Sequence, residues 1–213
     1  MKKQLFPIFF FIGIFNLAII NQSAHACTRV VYKGNDGLIL TARSMDWSTE
    51  IGTNLWLLPR GMERNGEVGT NSFTWKSKYG SIIASGFDVA TADGMNEAGL
   101  VTNILWLVES EYEKWDGTKP GMSIALWAQY VLDQFATVDE AVNALQKEEF
   151  VVVTAAIPGT SRLTTVHLSI SDKSGDNAIF EYVDGKLTIH HSADYTVMTN
   201  SPIFDKQLAL DEY

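Results

Sequence analysis

An almost wholly apolar run, residues 5–20, opens the chain and ends at the polar triplet Asn21-Gln22-Ser23. Lys2 and Lys3 precede it, and the small-x-small sequence Ala24-His25-Ala26 follows. That order is expected of a secretory signal peptide, residues 1–26, cleaved after Ala26. The run is at the short end for crossing a bilayer, which favours cleavage over an uncleaved anchor. Beyond it the pattern changes to alternation. Residues 28–32 are β-rich, Asn35-Asp36-Gly37 is a turn signal, and residues 38–42 resume as a second strand. This hairpin returns residues 43–47 to the start of the fold. Residues 54–59, 81–87 and 100–107 are further strand candidates. The run 93–99 is expected to be a turn whose glycines supply positive φ, with Asn96 serving backbone geometry rather than catalysis.

Helical spacing then takes over. Across residues 121–135 it aligns Ile124, Trp127, Ala128, Val131, Leu132 and Phe135 on one apolar face. Thr137 and Glu140 form a capping box that opens a second helix, with Ala141, Val142 and Leu145 inward. Residues 163–171, 178–183, 186–190 and 195–199 return to strand patterns, and Asp184-Gly185 is a hairpin turn. Strands, a helix pair and more strands predict a layered α+β fold with mostly antiparallel sheets.

Composition narrows the partners. The formal charge is −9 and becomes more negative once Lys2 and Lys3 leave with the leader. An acidic chain is a poor match for nucleic acid or an anionic membrane surface. Cys27 is the only cysteine, so no internal disulfide forms. No His/Cys cluster at metal-ligand spacing is present, and neither a metal nor another cofactor is expected.

Cleavage after Ala26 would make Cys27 the N-terminal residue. His167, His190 and His191 read as ordinary strand or loop residues rather than bases for a thiol. A terminal cysteine instead carries its own base: an α-amine has a reference pKa of about 7.7–8.0, against about 8.5 for a thiol. Such an amine can take the thiol proton and deliver it to a departing amine. Arg43 and Asp46, brought back by the hairpin, are candidates to favour the thiolate and to hold the amine. An alternative use of a cysteine at this junction is lipidation, giving a non-enzymatic lipoprotein that binds an apolar ligand. His25 fits the lipoprotein signal poorly.

The stretches "CTRVVYKGNDGLILTARSMDW", "ATADGMNEAGL" and "VMTNSP" together resemble the choloylglycine hydrolase family, which includes bile salt hydrolases and penicillin V acylases. The resemblance runs from Cys27 to Tyr213. It implies a four-layer αββα sandwich of the N-terminal nucleophile hydrolase type and hydrolysis of linear amide bonds in small N-acyl substrates. It also implies Cys27 as nucleophile, Arg43 beside the sulfur, Asp46 holding the amine, and Asn200 with a backbone N–H near Trp106 as oxyanion donors. Trp47 and Trp106 look like the Gram-negative branch and are expected, with Phe87, to contact the acyl group. That branch implies penicillin V, N-acyl homoserine lactones or conjugated bile salts as substrates. A periplasmic or secreted homotetramer is the matching expectation. The family's later catalytic arginine would lie beyond Tyr213, so the chain is expected to be the N-terminal part of a longer domain, with "DKQLALDEY" starting a helix.

Overall fold

A computed structural model describes residues 26–211; the expected leader, residues 1–26, lies outside the described residues except for Ala26. The alternation after Cys27 gives β1 (Thr28–Lys33), a single tight turn at Asn35–Gly37, and β2 (Ile39–Ser44). Asp36 and Gly37 both take positive φ (58° and 75°), the conformation that Asp and Gly adopt at least cost. The next strands are β3 (Leu55–Leu58), β4 (Glu63–Asn65), β5 (Thr74–Lys76), β6 (Ser81–Gly86), β7 (Ala90–Asn96), β8 (Val101–Trp106) and β9 (Gly121–Ser123). Helices α1 (Trp127–Gln134) and α2 (Val138–Leu145) follow. The chain ends in β10 (Val151–Val153), β11 (Val166–Ser171), β12 (Asn177–Val183), β13 (Lys186–His191), β14 (Val197–Thr199) and helix α3 (Phe204–Asp211).

The architecture is α+β. A seven-stranded sheet, order β13-β12-β11-β8-β7-β6-β3, is antiparallel at every pairing. Its helix-side face carries Leu168, Ile170 and Phe180, which pack in one cluster with Trp127 and Val131 of α1 and with Val138 and Ala141 of α2. A three-stranded sheet, order β14-β1-β2, is joined to the large sheet's other face by Arg29, which bonds Ile170 and Asn177. Cys27, Leu105, Ile179, Met198 and Phe204 form a separate cluster there. α2 buries the face its apolar spacing predicts, whereas α1 is buried all round, with Gln129, Tyr130 and Asp133 covered as well as the predicted apolar residues. Thr137 accepts from the Glu140 N–H at 3.2 Å, while the Glu140 carboxylate accepts from the Ala136 N–H at 2.7 Å.

Two boundaries differ from the sequence expectation. Residues 93–96, expected as turn, belong to β7, and only the residues after Asn96 turn. Gly94 is a strand residue because a Cβ there would lie 2.6 Å from Leu132 Cδ1 and 2.8 Å from Ile83 Cγ2, so α1 can approach only a glycine. Asn96 is structural, as expected: it donates to the Leu132 and Phe135 carbonyls at the end of α1 and accepts from the Ala98 and Leu100 N–H groups. The first helix begins at Trp127, not Gly121. Gly121 instead pairs in parallel with Val151, and the indole of Trp115 would meet a Cβ there at 2.8 Å.

Candidate active site

Strand register assembles the site. β1 pairs with β2 so that Thr28 faces Ser44 and Arg29 faces Arg43, and Thr28 pairs with Thr199 of β14 on the other side. Cys27 therefore enters between the two flanking strands. The Thr28 N–H donates to Ser44 Oγ at 3.0 Å, and Thr199 Oγ1 donates to the Cys27 carbonyl at 2.9 Å. The thiol is 3 % exposed, with its Sγ 3.7 Å from the Asp46 carbonyl oxygen.

Asn200 follows Thr199 directly. In the amide orientation that satisfies both neighbours, its oxygen accepts from the Cys27 N–H at 3.2 Å and its nitrogen donates to the Trp106 carbonyl at 3.3 Å. The loop carrying Asn200 is clamped by Gln207 of α3. Gln207 Nε2 donates to the carbonyls of Thr199 (3.3 Å), Asn200 (3.1 Å) and Pro202 (2.6 Å), and its Oε1 accepts from the Thr199 N–H at 3.0 Å.

A parting of two central strands supplies the rest. The β7–β8 ladder ends at Asp93 and Asn103, whereas β8 continues to pair with β11 as far as Trp106. The Leu107 N–H bonds the Thr165 carbonyl, so by strand alternation the backbone groups of Ile104 and Trp106 face the side that β7 has left. Arg43 fills part of this gap, donating to the Ile104 carbonyl and to Asp93 Oδ2, both at 2.8 Å. Asn103 donates to the other Asp93 oxygen at 2.8 Å. Burial raises the Asp93 carboxyl above the usual carboxylate range, and the charge of Arg43 and these two hydrogen bonds pull against that shift.

An apolar pocket of about 200 Å³ opens beside the thiol, lined by Cys27, Arg43, Trp47, Phe87, Ile104 and Trp106 among others. Trp47 and Trp106 meet with ring centroids 5.2 Å apart, and Arg162 lies over both indoles, 4.2 Å from the centroid of Trp106 and 5.9 Å from that of Trp47. Phe87 reaches the pocket from a left-handed backbone position (φ 52°) at the β6–β7 turn. A wider cleft of about 800 Å³ runs along β2 and β7 past Arg43 and Asp93, but Cys27 does not line it. The smaller pocket is the one that holds the thiol.

The expected residues Cys27, Arg43, Trp47, Trp106 and Phe87 thus line one pocket, Asn200 touches its edge through Cys27 and Trp106, and the Asp46 backbone contacts the thiol. The histidines serve elsewhere. His167 Nδ1 is 2.9 Å and His190 Nε2 3.4 Å from the buried Glu181 carboxylate. His191 bonds Asp176 at 2.8 Å, and with Asp139 these two bring three potential ligand atoms within 4.8 Å of one another. No sequence spacing announces that trio, because it joins α2, the β11–β12 turn and β13. Sequence reasoning also missed Asp93, Arg162 and Gln207. Asp93 lies in the run expected as a turn, where its charge was the one signal available. The other two carry none.

A thiol wedged between strands, with an amide and a guanidinium beside it at a strand parting, sits in an α+β fold of the N-terminal nucleophile hydrolase type. Residues 27–213 match the family model for linear amide C–N hydrolases of the choloylglycine hydrolase family, and the chain belongs to that family. It is 57 % identical over 197 residues to a penicillin V acylase of Pectobacterium atrosepticum, covering 88 % of this chain and 52 % of that protein. It is 31 % identical over 196 residues to a bile salt hydrolase/transferase of Clostridium perfringens, covering 88 % and 57 %. The solved penicillin V acylase of Agrobacterium tumefaciens superposes with a TM-score of 0.82 at 64 % identity, over 88 % of this chain and 56 % of that one. The chain spans about half the length of the relatives it matches.

Proposed function

We propose that the protein hydrolyses linear amides of small N-acyl substrates, with Cys27 as nucleophile and its own α-amine, released by cleavage after Ala26, as base. The observation that carries this reading is the placement of Cys27 N beside the Asn200 amide, with the thiol in the same pocket as Arg43. The family match beginning at Cys27 supports the same start for the mature chain.

Cutting the Ala26–Cys27 bond turns a backbone N–H into an amine within one residue's reach of the sulfur. The amine takes the thiol proton as sulfur attacks the acyl carbon, and returns it to the leaving amine. Water then attacks the thioester and frees the acid. A side-chain amide has two N–H groups. With one directed to the Trp106 carbonyl, the other is available to an oxyanion, as is the Trp106 N–H on the side that β7 leaves open. Arg43 beside the sulfur favours the thiolate, and Asp93 and the Ile104 carbonyl hold its guanidinium there. Asp46 holds the new amine. Trp47, Trp106 and Phe87 receive an apolar or aromatic acyl group, the type released from penicillin V, a long-chain acyl homoserine lactone or a conjugated bile salt.

Lipidation of Cys27 fits this surrounding badly, since a thiol 3 % exposed between two strands leaves no room for a bulky acylglycerol. A secreted or periplasmic homotetramer completes the proposal by family likeness.

Intact mass of the full-length gene product, expressed with its leader, should give a chain starting at Cys27, and any other start overturns the self-based mechanism. Cys27→Ala should lower hydrolysis of all three substrates by at least about 10⁴-fold with the fold kept, on the scale of losing a catalytic nucleophile elsewhere. Retained activity would remove Cys27 from the role.

A further inference from the structure

We propose that Glu181 and His190 are positioning residues for the oxyanion donor Asn200, acting on it through the first turn of α3; this rests on the amidase reading above. Neither side chain lines the pocket beside the thiol. Their route to it is the helix that carries the Gln207 clamp. A protein helix is usually fixed by an apolar face packed on the core. α3 has little of one: Phe204 is its single buried residue among those described, Leu208 is half-buried and Leu210 is exposed. Its place is set at the N-terminal end instead. There both Glu181 oxygens accept from the Phe204 N–H, a carboxylate at the positive end of the helix dipole. The Phe204 ring enters the cluster that holds Cys27 and Leu105, and meets the rings of His190 and Tyr195 with centroids 5.2 Å and 5.0 Å apart.

His190 completes the anchor. Its Nε2 lies 3.4 Å from Glu181 Oε2 in the sheet, and its Nδ1 lies 3.5 Å from Asp205 Oδ1 on the helix. A protonated imidazole carries an N–H on each nitrogen and donates to both carboxylates at once. Gln207 follows Phe204 by three residues, so the two project from one side of the helix. A tilt or slide at Phe204 therefore reaches the Gln207 amide within one turn. That amide sets residues 199–202, and Asn200 among them meets the Cys27 N–H and the Trp106 carbonyl. An oxyanion donor acts only where the charge develops, so a displacement of about 1 Å weakens the transition state and leaves substrate binding largely intact.

The test is a double-mutant cycle in the full-length gene product, on whichever of penicillin V, a conjugated bile salt or a long-chain acyl homoserine lactone the wild type hydrolyses. Glu181→Gln and His190→Phe are each made alone and with Gln207→Leu. His190→Phe keeps a ring against Phe204 and removes both nitrogen links, and His190→Gln returns a donor towards Glu181. Melting temperatures confirm that the variants fold, and where Glu181→Gln does not, the cycle at the less buried His190 decides. Glu181→Gln should lower kcat about tenfold and His190→Phe about fivefold, with KM changed less than about threefold. His190→Gln should recover part of the loss. In the Gln207→Leu background either change should lower kcat by less than about twofold more, because the route is already cut. Equal losses with and without Gln207, a loss carried by KM, or an unchanged kcat in the single variants overturns the proposal, with the amidase reading intact. Wild-type hydrolysis of none of the three substrates removes the amidase reading and this inference with it.

Discussion

Arg29 is two residues from the candidate nucleophile and fully buried, an uncommon place for a guanidinium. Its Nη1 donates to the Tyr195 carbonyl at 3.0 Å. Its Nη2 donates to the Ile170 carbonyl at 3.3 Å and to Asn177 Oδ1 at 2.5 Å. Burial lowers its pKa to about 9, still well above neutral, so the charge is retained. The side chain therefore ties β1 to β11 and β12 across the two sheets, and so holds Cys27 at a fixed depth. Arg29→Leu should cost roughly 3 kcal/mol of stability, because Asn177 and two carbonyls lose their donor in a dry layer. A urea denaturation midpoint checks this, and a change within about 0.5 kcal/mol would exclude the tie. The alternation in Thr28–Lys33 does not reveal the burial, since Val30, Val31 and Tyr32 supply apolar side chains to both faces. Val30 and Tyr32 prove to be the exposed pair, at 39 % and 60 %.

Among the elements, α3 does more than close the chain's path. The start of a helix after "NSP" is legible from its composition, and the observed helix runs Phe204–Asp211. Its function in the site is not legible, because Gln207 acts on backbone groups of the preceding loop rather than on a partner motif. Four hydrogen bonds from one amide fix residues 199–202, and Asn200 with them. Gln207→Leu keeps the side chain's bulk and removes all four. It should lower kcat roughly ten- to hundredfold with KM changed less than about threefold, short of the 10²–10³ that deleting an oxyanion donor costs. A rise in KM with kcat unchanged would show that the loop serves binding instead. The same distinction explains the expected turn at residues 93–99. Glycine, asparagine and aspartate in sequence carry turn propensity, but the close approach of Leu132 requires Gly94 inside a strand, and tertiary packing overrides the local signal.

For the molecule as a whole, the decisive polar junction is Glu181, 1 % exposed. It receives His167 of β11 and His190 of β13, and both its oxygens accept from the Phe204 N–H at the start of α3, at 3.0 and 3.1 Å. Burial alone would raise the Glu181 carboxyl, but the hydrogen bonds from His167, His190 and Phe204, with the charge of His167, hold it down at about 2 against an ordinary 4.5. A carboxylate with a depressed pKa in the folded state stabilises fully above its unfolded value. That contribution is lost as pH falls from about 4.5 towards about 2. The melting temperature of the wild type should therefore drop across that window, while Glu181→Gln, less stable at neutral pH, should drop less steeply. Parallel curves for the two proteins would exclude Glu181 as the acid-sensitive junction.

The sequence by itself determined the hairpin that returns Arg43 to Cys27, the α+β order of elements, the apolar face of α2, and the family. These are local or motif-borne: turn chemistry, strand alternation and helical spacing act within a few residues, and Cys27 is the chain's only thiol. Only the tertiary structure decided the parting of β7 from β8 that admits Arg43, the Asp93 partner, the Gln207 clamp, the Arg162–Trp106 stack and the burial of Arg29 and Glu181. Arg43 with Asp93, Arg162 with Trp106, and the partners of Arg29 and Glu181 are brought together from distant parts of the chain, and the Gln207 clamp acts on loop backbone that carries no motif. Their positions follow from sheet register and from the hydrogen bonds that most buried polar groups find across it, and neither is written in local spacing.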